Sequence, residues 1–100
     1  MPVYRVEFRP AALRSLESLS QKLGARLYAR AESLGANPYP VGVKKLRGTE
    51  LHRVRVGDYR IVYEVKGAVL LVLVVRIGTR GEVYRGLSQQ PAKDTGLMRK

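Results

Sequence analysis

One hundred residues, 45% of them apolar, can bury one modest core but hardly two. The chain has no cysteine, which excludes a disulfide scaffold, a thiolate metal site and a cysteine nucleophile. A formal charge of +11, from 19 Lys and Arg against 8 Asp and Glu, points to a polyanionic partner. Nucleic acid ranks first, an acidic protein second and an anionic membrane a distant third. Thirteen of the basic residues are Arg, which favours bidentate contact with phosphate or carboxylate.

In chain order, Met1-Pro2 leads into alternating residues rather than a basic segment and an apolar run, so no export signal is expected. Residues 3–8 alternate Tyr4, Val6 and Phe8 with Arg5 and Glu7, the pattern of a first strand. Pro10 suits the first turn of a helix carrying Leu13, Leu16 and Leu19 through Ser20. Gly24 is expected to break or bend the segment. A second helical stripe follows in Leu23, Leu27, Ala31 and Leu34, with Arg26 and Arg30 off it. Gly35 and Asn37-Pro38 end that helix. The two helices read as a hairpin with one apolar edge, a scaffold for covering a sheet.

Residues 39–48 read as a loop that carries Lys44, Lys45 and Arg47. Strands are expected over 51–56 and 59–66, joined by Gly57-Asp58 as a type II′ turn. Lys66-Gly67 marks a second turn. Residues 68–77 read as a long strand, central because its Val and Leu are nearly continuous. Its apolar stretch, 68–75, is too short to span a bilayer as a helix. A soluble, cytoplasmic protein with no membrane role is expected. Glu82, Val83 and Tyr84 suggest a short final strand or extended piece, and residues 87–100 a polar tail.

The Gly57-Asp58 turn sets a register. Val56 faces Tyr59, Arg55 faces Arg60, Val54 faces Ile61, Arg53 faces Val62 and His52 faces Tyr63. One face is then apolar, and the other carries Arg53, Arg55 and Arg60 around Val62. Opposed like charges destabilise a sheet, and a bound phosphate would relieve them. Pairing with Glu50, Glu64 or Asp58 would make the cluster ordinary surface. Lys44, Lys45 and Arg47 extend the patch for an RNA backbone. His52 falls on the apolar face, where a lone histidine is more often packed than catalytic. With one histidine and no thiol, neither a histidine-pair ribonuclease nor a zinc site is expected, and no Gly-rich nucleotide loop is present. No cofactor is implied.

Leu46-Arg47-Gly48 and the run from Arg53 to Tyr63 resemble the RelE/ParE toxin superfamily. The opening strand, helical hairpin, Asn37-Pro38, Lys44-Lys45-Leu46, Ile77-Gly78-Thr79-Arg80 and Glu82-Val83-Tyr84 follow in the same order, so the resemblance covers about residues 3 to 85. It implies an α+β fold of the RelE kind. In that fold a mostly antiparallel sheet of about four strands packs against an N-terminal helical hairpin, here within a toxin domain spanning residues 1–86. It implies a cognate acidic antitoxin that neutralises the basic surface, with operator DNA met only through the toxin–antitoxin complex.

The RelE branch cleaves mRNA in the ribosomal A site, and the ParE branch poisons DNA gyrase. Carried over residue by residue, the RelE set falls on Arg53, Arg55, Arg60, Arg80 and Tyr84. In that branch the first two are commonly lysines. Arg stays protonated at ordinary pH, which weakens a general-base role. Metal-free cleavage can use the ribose 2′-hydroxyl as nucleophile, so the protein's tasks are alignment and charge stabilisation. On this reading Arg60 clamps the phosphate. Arg53 and Arg55 grip the adjacent phosphate and orient the hydroxyl, Arg80 neutralises the leaving oxygen, and Tyr84 stacks on a base. Strand parity alone leaves Arg80 facing the helices, and a bend at Gly78 is invoked to turn it round. A gyrase inhibitor and an inactive antitoxin- or RNA-binding relative are the alternatives.

Overall fold

The computed structural model describes residues 3–84; the polar tail expected over 87–100 lies outside them. β1 (Arg5–Phe8) packs Val6 and Phe8 on the main core and leaves Arg5 and Glu7 outside, ion-paired at 3.0 Å. α1 (Pro10–Glu17) starts on its proline, whose missing N–H costs nothing there. α2 (Gln21–Ser33) opens at Ser20, whose hydroxyl accepts from the Leu23 N–H at 3.2 Å.

The chain therefore breaks at residues 18–20 and not, as the sequence suggests, at Gly24. That glycine lies inside α2. A Cβ there would stand 3.1 Å from the Leu16 carbonyl oxygen, so its bareness lets α1 and α2 cross closely. Gly35 is tighter still, since a Cβ would meet the Tyr4 carbonyl oxygen at 2.6 Å where the Tyr4 N–H donates to the Gly35 carbonyl at 2.7 Å.

The described residues form one sheet in the order β1-β5-β4-β3-β2, with β2 (Lys44–Lys45), β3 (Leu51–Val56), β4 (Tyr59–Lys66) and β5 (Leu71–Thr79). The β1–β5 pair is parallel and the others antiparallel. The sheet thus has five strands rather than about four. The extra one is the two-residue β2 edge inside the expected 39–48 loop, held by pairing with β3 and not by propensity. The β3–β4 register is the one read from the turn, with Arg55 opposite Arg60 and His52 opposite Tyr63. Gly57 has φ +63°, as the first position of a II′ turn requires.

β5 begins at Leu71 instead of Ala68. Gly67–Val69 form a 3₁₀ turn that closes on Leu70 at φ 50°, so the exposed Val69 and Leu70 belong to the connection. The main core joins Ala12, Leu27, Ala31 and Leu34 of the helical side to Val54, Ile61, Tyr63, Val72, Val74 and Ile77 of the sheet. A second, smaller cluster centres on Val62 and Val83 with Leu46, Leu51, Val75 and Tyr84. Val62 alternates with Ile61 and Tyr63 along β4, so this cluster lies on the opposite face.

Candidate functional site

On that opposite face, cross-strand neighbours form two rows. Lys44 stands beside Arg53, Arg53 beside Val62, and Val62 beside Arg76; in the second row Arg55 stands beside Arg60, and Arg60 beside Gly78. The rows hold because directly opposed residues share a face. β4 lies between β3 and β5, which supports the Arg60 backbone on both sides.

The register between β4 and β5 slips between Val62 and Tyr63. Val62 pairs with Arg76 and Tyr63 with Val74, leaving Val75 as a bulge residue. Before it, Val72 and Val74 enter the main core; after it, Ile77 does. The bulge thus inverts the parity of β5 and sends positions 76 and 78 to the arginine face. This corrects the sequence reading, in which even-numbered β5 residues face the helices throughout and a bend at Gly78 turns the chain.

Past β5, residues Arg80–Tyr84 form a short helix, α3, where the sequence suggests a strand or extended piece. Two local facts account for it. The Glu82 carboxylate accepts from the Thr79 N–H at 3.0 Å, and Val83, 1% exposed, closes over Val62. Gly78 makes room, since a Cβ there would stand 3.0 Å from Glu82 Oε1. Docking α3 leaves Arg80 exposed at its start and Tyr84 half-buried at its end.

The structure brings some candidate residues together and separates others. Arg53 and Tyr84 share a cleft of about 300 Å³ with Lys44, Lys45, Leu46, Arg47 and Thr49. Arg55 instead lines a groove of about 560 Å³ beside α2. Arg60 stands opposite Arg55, with Nη1 3.4 Å from the Asp58 carbonyl oxygen. Arg26, Arg30 and Arg76 are basic residues of the site's surroundings that the sequence reading did not include. For Arg26 and Arg30 the signal was present in their spacing off the apolar stripe of α2; for Arg76 it was hidden by the bulge.

Glu64 and Asp58 do not neutralise Arg53, Arg55 or Arg60. Glu64 pairs with Lys66 at 3.6 Å, and Asp58 offers Arg60 its backbone carbonyl rather than its carboxylate. Among the described residues, no carboxylate forms an ion pair with Arg53, Arg55, Arg60 or Arg80. Their mutual repulsion is therefore met by solvent and counterions, and an anion seated among them would lower it.

His52 stands on the core face, with ring centroids 5.3 Å from Tyr39 and 5.8 Å from Tyr63. Tyr63 is buried, donates its hydroxyl to the Pro38 carbonyl at 2.6 Å, and has its pKa pushed up to about 12, mainly by burial. The buried His52 Nδ1 has no hydrogen-bond partner. Burial first, and then the Lys45 charge, lower the His52 pKa, with Glu50 opposing. A histidine held below its unfolded value of about 6.5 favours the folded state when neutral. That stability is present above the unfolded pKa and is lost as pH falls through the folded one. Thermal melts of wild type and His52→Phe should therefore converge or cross between about pH 7 and pH 5, with the wild type losing more. Parallel pH profiles would contradict this placement of the ring.

The chain matches, over residues 6–84, the family model described as the ParE toxin of the type II toxin–antitoxin system parDE. A chain of the RelBE2 toxin–antitoxin complex from Mycobacterium tuberculosis is similar in structure, with a TM-score of 0.72 and 27% identity, covering 82% of this chain and 97% of that one. A chain of the archaeal RelE–RelB complex from Pyrococcus horikoshii gives a TM-score of 0.68 at 30% identity, covering 79% and 97%. A chain of Methanocaldococcus jannaschii provisionally named toxin RelE1 is 28% identical over 86 residues, 82% of this chain and 96% of its own.

Proposed function

Because this chain belongs to the RelE/ParE superfamily of type II toxin–antitoxin toxins, we propose that it is a metal-independent endoribonuclease that cleaves mRNA in the ribosomal A site. The observation that carries this reading is the sheet face shared by Arg53, Arg55 and Arg60, against which α3 packs Val83 and Tyr84. No carboxylate is ion-paired to those arginines among the described residues.

In the reaction, the ribose 2′-oxygen attacks the adjacent phosphorus. The 2′ O–P bond forms, the 5′ O–P bond breaks, the 2′ proton passes to solvent and the departing 5′ oxygen gains one. The products carry a 2′,3′-cyclic phosphate and a 5′-hydroxyl. Permanently charged guanidiniums suit the stabilisation of the extra charge on phosphorus better than they suit proton transfer. Arg60 is the phosphate clamp, Arg53 and Arg55 hold the flanking backbone, Arg80 neutralises the leaving oxygen and Tyr84 stacks on a base. Lys44, Lys45 and Arg47 carry the RNA away from the Arg53–Tyr84 cleft. The related structures are toxin–antitoxin complexes, and an acidic antitoxin of this chain would cover the same basic face. No helix among the described residues is long and apolar enough to cross a membrane.

One observation favours a second reading, inhibition of DNA gyrase: the matching family model is described as ParE. Regulated expression in a bacterial host, with translation and plasmid supercoiling read separately, distinguishes the two. Translation should stop within minutes while supercoiling is maintained. Loss of supercoiling with translation intact would transfer the assignment to gyrase, and unimpaired growth would leave an inactive relative.

A further inference from the structure

Apart from Arg55, the residues of the groove beside α2 have no role in the reaction described above. Arg26, Ala29, Arg30 and Ser33 line it from one side at positions i, i+3, i+4 and i+7, a single helical face. Arg55, Val56 and Gly57 of the β3–β4 hairpin line it from the other. Three arginines thus line one groove of about 560 Å³, and no carboxylate lines the space. Arg30 is held in place, since its Nη1 donates to Ser33 Oγ at 3.1 Å while Ser33 Oγ donates to the Arg30 carbonyl at 2.6 Å. Glu32, the acid of α2, sits beside Tyr28 on a different face and raises that hydroxyl's pKa. No ion pair among the described residues engages Arg26, Arg30 or Arg55.

We propose that Arg26, Arg30 and Arg55 form a second phosphodiester track, which holds RNA backbone remote from the reacting nucleotide. The inference rests on the reading that the chain acts on RNA. Arg55 joins the two surfaces, because it stands opposite Arg60 in the sheet and also lines the groove. A backbone clamped at Arg60 passes from there over the hairpin turn toward α2. Gly57, which has no side chain, leaves that path open, with nothing within 4 Å of where its Cβ would be. Guanidinium forks meet phosphate oxygens in pairs, and two of them one helical turn apart present successive sites along a flexible strand. The track accounts for arginines at 26 and 30 that lie off the apolar stripe of α2.

The test is equilibrium binding of a single-stranded RNA oligonucleotide, and of the programmed ribosome, across salt concentrations. Wild type is compared with Arg26→Ala/Arg30→Ala, Arg26→Lys/Arg30→Lys and a charge-matched control, Arg14→Ala/Lys22→Ala. Each phosphate contact with a single strand contributes about 0.7 to the slope of log K against log salt. The alanine pair should flatten that slope by about 1.4, so that between about 50 and 200 mM salt the wild type loses about sevenfold more affinity than the variant. The lysine pair should keep the slope and the control pair should match wild type, with folding of each verified by thermal melts. An unchanged slope for the alanine pair, or a loss confined to binding of a polyglutamate peptide, overturns the track. RNA binding with the expected slopes but without cleavage refutes the nuclease reading and leaves the track standing; cleavage with unchanged slopes does the reverse.

Discussion

Arg60→Ala is expected to lower single-turnover cleavage of A-site mRNA by about 10²–10³-fold while weakening binding far less, the loss typical of removing one well-placed donor to a developing charge. The expectation follows from where Arg60 stands. Its strand is flanked by β3 and β5, it faces Arg55 on one side and the bare Gly78 on the other, and it is half-buried, so its backbone cannot move to compensate. The 3.4 Å approach of Nη1 to the Asp58 carbonyl is long for a hydrogen bond and easily exchanged for a phosphate oxygen. Arg60→Lys keeps the charge but loses the fork and should recover part of the rate. Near-wild-type cleavage by Arg60→Ala would remove the clamp assignment.

Val83→Asp should abolish activity almost as completely without unfolding the protein. A helix of five residues has no stability of its own in water, so α3 persists only through its contacts with the sheet. The central one is Val83, packed with Val62, Leu46, Leu51 and Val75. A carboxylate cannot occupy that site unpaired, and releasing α3 costs less than burying it. Arg80 and Tyr84 would lose their fixed positions together. Cleavage should then fall by about 10² or more, at least as far as for loss of a single donor. The melting temperature should move little, because the main core lies on the other side of the sheet. A rate within a few-fold of wild type would mean that the placement of α3 does not matter to the chemistry.

What could be read in the sequence and what could not divides along physical lines. The β3–β4 register followed from two residues, since a II′ turn at Gly57-Asp58 fixes every pair after it. His52 on the core face and Arg53, Arg55 and Arg60 on the other followed in turn. The bulge at Val75 could not be read, because a run of Val and Leu satisfies either parity and hides the slip. With it went the placement of Arg76 and the reason Gly78 faces Arg60. β2 and α3 also left no usable local signal. Each is too short for periodicity, and each is held by a partner distant in sequence, β3 in one case and Val62 in the other. Gly24 misled because a glycine in a helix reads as a break when its neighbour across the helix pair is unknown. The split of the arginines between the Tyr84 cleft and the α2 groove could not be read either, because parity gives the face of a residue and not the cavity it lines.

The nuclease reading is tested most directly by the chemistry of the product ends. Purified protein is added to ribosomes carrying a defined mRNA codon in the A site, with no divalent cation beyond that needed to hold the ribosome together, and the fragments are analysed by mass. The account predicts one cut within the A-site codon, an upstream fragment ending in a 2′,3′-cyclic phosphate and a downstream fragment beginning with a 5′-hydroxyl. A 3′-hydroxyl paired with a 5′-phosphate, or intact mRNA beside a gyrase that no longer supercoils, would contradict it.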